Sequence, residues 1–199
     1  MAPSLGRIRV DRKCGTERFH VIGRPVGFDV LSFWRWAMSD LLSNTTRGVL
    51  AEYLVAQALG SAEDVRQPWN PFDVKTRNDV RVEVKSAAYL QSWHQKALSR
   101  IVFSTQPTRA WDADTNDLAT ERTRQADVYV FCLLDHMDKA TVDPLNVAQW
   151  RFFVITTQRL NAAIGHQKCI SLERLLEIGA EETPYDRLCE TVDRVSAMH

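Results

Sequence analysis

Asp73, Glu83 and Lys85 are the residues of this chain whose types and spacing could do chemistry together. They lie in Pro71-Phe72-Asp73-Val74-Lys75-Thr76-Arg77-Asn78-Asp79-Val80-Arg81-Val82-Glu83-Val84-Lys85, where two strand-like runs flank the turn-like Arg77-Asn78-Asp79. If those runs pair antiparallel about Asn78, Asp73 stands opposite Glu83. Like charges directly opposite on paired strands repel. A hard divalent cation between the two carboxylates removes that penalty. Side chains on a strand repeat every second residue, so Lys85 shares a face with Glu83. Two acids and a lysine on one sheet face suit the hydrolysis of a phosphodiester. Asp73, Glu83 and the backbone carbonyl of Val84 can hold Mg²⁺, which makes a water more nucleophilic. Lys85 can orient that water or stabilise charge on the phosphate oxygens. The plainer reading of Glu83-Val84-Lys85 is a solvated strand face with charges alternating with valine. The pairing with Asp73 favours the chemical reading over the plain one.

Glu52 is a fourth candidate. It lies in the helical stretch 47–59, where its wheel neighbours are Val49, Val55, Ala56 and Leu59, with Tyr53 and Gln57 on the solvent side. A carboxylate among apolar neighbours is costly unless it is paired or binds a metal. It can also be a helix-edge Glu reaching water, or one paired with Arg47 or Lys85.

The elements that must position these residues follow from periodicity and punctuation. Arg7-Ile8-Arg9-Val10 and Arg18-Phe19-His20-Val21-Ile22 read as short strands. Asp29 caps a helix through Trp34, Met38 and Leu42. Thr45-Thr46 opens a second helix over 47–59, ended by Gly60. The hairpin spans about 72–86, and Ile101-Val102-Phe103-Ser104 is a third strand. The polar, proline-containing 105–124 is a surface loop with some helix. The apolar runs 126–134 and 150–156 are central strands covered on both faces. Ser171 caps a helix striped with Leu172, Leu175 and Leu176, and Pro184 starts a last one over Tyr185, Leu188 and Val192. The order helix, strand, strand, strand, loop, strand, strand, helix predicts an α/β fold around a mixed sheet. Residues 1–44 read as an N-terminal extension packed on a core of residues 45–199.

Composition narrows the partners. The 199 residues carry 25 basic and 25 acidic side chains, so no global basic field announces nucleic acid. Any such binding rests on a local patch or on metal. Gln91, Trp93, Lys96 and Arg100, just after the reactive strand, are the candidate nucleic-acid contacts, and Arg109, Arg122 and Arg124 are further phosphate candidates. Cys14, Cys132, Cys169 and Cys189 are too scattered for a zinc knuckle or a redox pair, which fits a reducing cytoplasm. Asp112, Asp114 and Asp117 lack the glycine and glutamate of a calcium loop and read as structural. Trp34, Trp36 and Trp150 read as core or interface residues. No apolar run reaches the roughly 18 residues of a membrane span, and the start of the chain has no signal-peptide core.

The set Gly48…Glu52, then Asp73, then Glu83-Val84-Lys85 resembles the PD-(D/E)XK nuclease superfamily, and Arg47-Gly48-x-x-Ala51-Glu52 is similar to the helix opening of its Holliday junction resolvase and Mrr-like branches. The resemblance covers residues 45–104. One departure is that Pro71 lies two residues before the acid, with Phe72 between. The resemblance implies a restriction-endonuclease-like αβββαβ core. It also implies Mg²⁺, or Mn²⁺ as a substitute, held by Glu52, Asp73, Glu83 and the Val84 carbonyl, and a lysine-assisted water cutting DNA in restriction, phage defence or repair. A homodimer, or a partner protein for targeting, goes with such an enzyme. The competing expectations are the same fold kept as an inactive nucleic-acid-binding or scaffold protein, and a subunit active only with its partner.

Overall fold

The computed structural model describes residues 5–198. Its centre is a five-stranded mixed sheet in the order β3 (Val74–Lys75), β4 (Arg81–Ala88), β6 (Val128–Leu134), β7 (Trp150–Thr156), β9 (Glu181–Thr183). The pair β4–β6 is parallel and the others are antiparallel. Every residue of β6 is buried, as a strand covered on both faces must be. Val128, Val130, Cys132 and Leu134 meet α2 (Asn44–Ala58) and α5 (Leu188–Ser196) on one side. Tyr129, Phe131 and Leu133 meet α3 (Thr157–Ile164) and α4 (Leu172–Glu177) on the other. The fold is therefore mixed α/β with helices on both faces of the sheet, the class expected.

Local chemistry sets the boundaries that matter for the site. Ser43 caps α2 through Thr46 N–H, two to three residues before the expected Thr45-Thr46 start. The helix closes where Gly60 takes φ +64, and the Ser61 and Gly60 N–H groups return to the carbonyls of Ala56 and Gln57 at 2.8 and 3.1 Å. Between β3 and β4 the chain turns over residues 76–80. Thr76 and Val80 exchange hydrogen bonds of 2.9 and 3.1 Å, and Asp79 adopts φ +63.

Several elements depart from expectation. Residues 7–10 form no strand: Arg7 is tied to Gln67 and Asp114 by its side chain while its backbone makes no ladder. The third strand, β5 (Val102–Ser104), leaves the main sheet and pairs with β8 (Cys169–Ser171). The 105–124 segment holds no helix and is closed by two isolated bridges, Thr108–Thr123 and Trp111–Leu118. Within it Asp112 accepts N–H bonds from Asp114 and Thr115, a structural turn. Helix α3 had no counterpart in the sequence reading. The N-terminal part builds a separate two-stranded hairpin, β1 (Arg18–Val21) and β2 (Arg24–Asp29), followed by α1 (Val30–Met38), none of whose residues is buried. Asp29 caps α1 as expected. Trp150 is core, whereas Trp36 is 84% exposed. All four cysteines are free, and no helix among the described residues is long and apolar enough to cross a membrane.

Candidate active site

The hairpin register is the one that symmetry about Asn78 requires. Val74 pairs with Val82 and Lys75 with Arg81, which puts Asp73 level with Glu83. Val74, Val82 and Val84 point into the α2-side core, so Asp73, Glu83 and Lys85 take the opposite face. That face is not a solvated one. Glu83 and Lys85 side chains retain only 20% and 27% of their exposure.

Asp73 ends the short strand. Its N–H donates to the Val82 carbonyl at 3.0 Å, and its Oδ2 then accepts the Val84 N–H at 2.8 Å. The carboxylate thus replaces the backbone acceptor that β3 would supply if it continued. The N–H and C=O of one strand residue point to the same edge, so the Val84 carbonyl opens toward Asp73 and away from β6. Burial raises the Asp73 carboxyl to about 7, with repulsion from Glu83 adding to it, while Lys85 and the Val84 N–H pull it down. Lys85 donates to Glu83 Oε1. Burial alone would lower the Lys85 ammonium, but attraction to Glu83, Asp73 and Glu52 outweighs it and raises it.

Glu52 enters from α2. Its side chain is 15% exposed and is gripped by both nitrogens of one Arg66 edge, Nη2 to Oε1 at 2.8 Å and Nε to Oε2. Its charge is felt at both Asp73 and Lys85. Arg66 is the partner missed by the sequence reading, which looked to Arg47 or Lys85. It comes from the irregular stretch after α2, where no periodicity marks it. A cavity of about 390 Å³ opens beside these groups, lined in part by Arg12, Glu52, Tyr53, Arg66, Asp73 and Lys75.

The structure therefore brings Asp73, Glu83, Lys85 and Glu52 into one electrostatic unit. Among the described residues no three acids, histidines or cysteines converge as a ready-made metal cage. The acids here are held apart by cations: Lys85 on Glu83 and Arg66 on Glu52. The donor set is nevertheless one a hard cation accepts. It contains two carboxylates on one face, a carbonyl at the same edge and a third carboxylate nearby, with a repulsion between Asp73 and Glu83 that Lys85 only partly offsets.

The proposed nucleic-acid contacts divide. Trp93, Lys96 and Arg100 are exposed. Gln91 is buried at 7% exposure; its Oε1 accepts from Arg47 Nη1 at 3.3 Å and its N–H donates to Gln95 at 2.7 Å. Its amide satisfies a buried guanidinium, so it is unavailable to a substrate. Arg124 is also buried, donating to Thr105, Gly165 and Gln167 carbonyls at 2.7 to 2.8 Å and to Asn161 Oδ1 at 2.5 Å. It staples the chain, and its donors are taken up by these internal acceptors. Arg109 and Arg122 are exposed.

The sequence model for bacteriophage T4 endonuclease IV matches residues 32–174, which contain all four acid and lysine positions. The chain belongs to the bacteriophage T4 endonuclease IV family. Membership makes it a nuclease by family. The family match leaves out the β1–β2 hairpin and begins within α1. A search of curated proteins finds no match.

Proposed function

We propose that this chain is a divalent-metal-dependent endonuclease acting on DNA, with a site laid out like that of the PD-(D/E)XK nucleases. The observation that carries the reading is Asp73, buried beside Glu83, with Lys85 paired to Glu83 on the same face of β4. A fold seldom retains such a repulsive pair unless something relieves it. Mg²⁺, or Mn²⁺ in its place, would be held by Asp73, Glu83 and the Val84 carbonyl, with Glu52 joining directly or through water. When bound, it supplies charge neutralisation at the phosphate and a more acidic water.

The chain's own groups do the rest. Asp73 is held by the Val84 N–H on one oxygen and lines the cavity, so little rotamer searching is left to it. Lys85 stays cationic because its three acidic neighbours hold its proton. It therefore acts as a donor that orients the attacking water and steadies negative charge, and the proton of that water goes to solvent or to a phosphate oxygen. Attack on phosphorus breaks one P–O ester bond and leaves a terminal phosphate on one strand end. Lys85 must let go of Glu83, and Arg66 must loosen on Glu52, for those carboxylates to turn to a cation. Arg12 and Lys75 on the cavity wall then meet the DNA backbone.

The test is incubation with plasmid, linear and single-stranded DNA and with RNA in Mg²⁺ or Mn²⁺, beside Asp73→Ala, Glu83→Ala and Lys85→Ala. Activity lost by about 100-fold or more in each supports the assignment. Equal cutting by wild type and variants removes it. The alternative of an inactive, DNA-binding relic expects binding with no cutting by wild type. A subunit role expects cutting only after a partner protein is added, and a homodimer expects two strands cut in one encounter.

A further inference from the structure

We infer that the β1–β2 hairpin is a DNA wedge: Ile22 at its tip inserts between stacked bases while Arg18 and Arg24 take the flanking phosphates. The inference rests on the DNA-cutting function proposed above. Its starting point is the tip. Val21 pairs with Arg24, leaving a two-residue turn of Ile22 at φ +50 and Gly23 at φ +75. Both residues of such a turn need positive φ, which is why Asn-Gly is the usual choice. A β-branched residue there is a true outlier, and backbone strain of this kind gathers at functional positions. Ile22 is also 98% exposed, with no core to reward it. The sequence has thus placed a large apolar side chain where both backbone and solvent disfavour it.

Charge says what the tip meets. Between residues 5 and 38 there are seven Arg and Lys against three acids, in a chain that is neutral overall. Two of the three acids are spent inside the module: Glu17 accepts the Cys14 and Gly15 N–H groups, and Asp29 caps α1. Neither Arg18 nor Arg24 makes a salt bridge among the described residues, although Arg18 stands across the hairpin from Asp29 and its charge acts there. Phe19 and Phe28 pack on each other across the hairpin at 4.9 Å and stiffen it. An apolar tip on a rigid ribbon with basic flanks matches the apolar wedges that DNA-bending proteins push between base steps. A second copy of the chain would find the same arginines facing its own.

The hairpin is also tied to the site. The segment leading into it puts Arg12 on the wall of the cavity that holds Asp73, with Arg12 Nη1 donating to the Glu63 carbonyl at 2.9 Å. On the far side, Asp40 after α1 accepts from Ser92 at 2.7 Å, next to the exposed Trp93. A wedge anchored at both ends can therefore hold DNA in register with the acids.

The deciding experiment is fluorescence anisotropy of the full chain in EDTA with labelled DNA containing 2-aminopurine, as duplex and as single strand. Wild type, Ile22→Asn and Arg18→Ala/Arg24→Ala are compared. Asn accepts the positive φ of the tip, so Ile22→Asn keeps or improves the hairpin and removes only the apolar wedge. We expect Ile22→Asn to bind at least about 5-fold more weakly, the low end of a lost stacking contact, and to lose the 2-aminopurine brightening that wild type gives in at least one DNA form. The double arginine variant should reduce the slope of log K against log salt by about 2. All three should hydrolyse bis-p-nitrophenyl phosphate in Mn²⁺ at equal rates. If wild type hydrolyses nothing, the nuclease reading falls while the anisotropy still decides the wedge. Wild-type affinity and brightening in Ile22→Asn overturn the wedge. So does a wild-type dimer in sedimentation that Ile22→Asn splits with no change in DNA affinity, since the tip then serves a second copy.

Discussion

Replacing Asp73 with Asn should make the protein more stable and inactive at once. Burial against Glu83 lifts the Asp73 carboxyl from its ordinary 3.8 to about 7. Below about pH 3 the group is protonated both folded and unfolded, and it contributes nothing. As pH rises from there to about 7, the unfolded chain gives up the proton and the folded chain keeps it. Stability falls with pH wherever the folded state binds more protons, so wild type weakens through this window. At about 1.4 kcal/mol for each tenfold difference in affinity, the upper bound is ~4 kcal/mol. That bound already contains the pull of Lys85; relaxation and water at the partly open site reduce it further, and we expect a net gain of about 2 kcal/mol at pH 8. That corresponds to a rise of about 4–8 °C in Tm for a chain of this length. The Val84 N–H still finds an acceptor in the amide oxygen, so the edge of the sheet is kept.

The assay is a thermal melt of wild type and Asp73→Asn at pH 5 and pH 8, without divalent ion and with Mg²⁺. The gap at pH 5 should be less than half of that at pH 8. Mg²⁺ binds only the folded wild type, so at ten times its Kd it should return about 1.4 kcal/mol to wild type and leave the variant unmoved. DNA cutting by the variant should be lost. A variant less stable than wild type by the same amount at both pH values would refute the claim that Asp73 is a strained carboxylate. Equal stabilisation of both proteins by Mg²⁺ would refute the claim that Asp73 helps to hold the ion.

Glu52→Ala should raise the Mg²⁺ concentration for half-maximal cleavage by about 10- to 100-fold. Arg66→Ala should lower it, because it frees Glu52; both are read from cleavage rates in a metal titration. Gln91→Leu removes an acceptor from Arg47, whose Nε already has no partner. It should cost about 1–3 kcal/mol in urea unfolding while leaving the cleavage rate at 20 °C unchanged. Arg124→Met strands the Thr105 and Gly165 carbonyls and leaves that of Gln167 with the Thr105 hydroxyl alone. Its urea midpoint should fall by the equivalent of about 2–4 kcal/mol, with no change in the salt dependence of DNA binding.

The legible part of this chain was the part governed by local rules. Alternation of valine with charge from Val80 to Lys85, and the symmetry of the run about Asn78, fix which residues oppose which, and Val74–Val82 is the register observed. The caps at Asp29 and Ser171 were readable because a cap is a matter of one side chain and the next turn. What depends on distant partners could not be read. Nothing in Ile101-Val102-Phe103-Ser104 says that its partner is Cys169–Ser171 rather than the neighbouring hairpin. Helix α3 was hidden because Thr156, the last residue of a β-branched run, is also its N-cap. Gln91 and Arg124 looked like surface groups because polar residues in polar stretches usually are. Each is inside because it answers a polar group that the sequence does not advertise, a guanidinium on α2 in one case and a set of loop carbonyls in the other.

The same limit explains why the site reads differently with its cations in view. From the sequence, Asp73 and Glu83 were a repulsive pair that needed a metal to make sense. In the fold, Lys85 pairs with one oxygen of Glu83 and Arg66 with both of Glu52, while Asp73 makes no salt bridge among the described residues and accepts only the Val84 N–H. A metal-free chain therefore folds by lending its own cations to Glu83 and Glu52 and by holding a proton on Asp73. Binding a divalent ion must displace all three, and the displaced lysine and arginine are then free to meet the phosphate whose arrival brings negative charge. On this argument Lys85→Met should tighten metal binding, since Glu83 no longer has a competitor, while still abolishing cleavage. Calorimetric titration of Mn²⁺ into wild type and Lys85→Met separates the two effects. Weaker binding by the variant would mean that Lys85 supports the metal site and does not guard it.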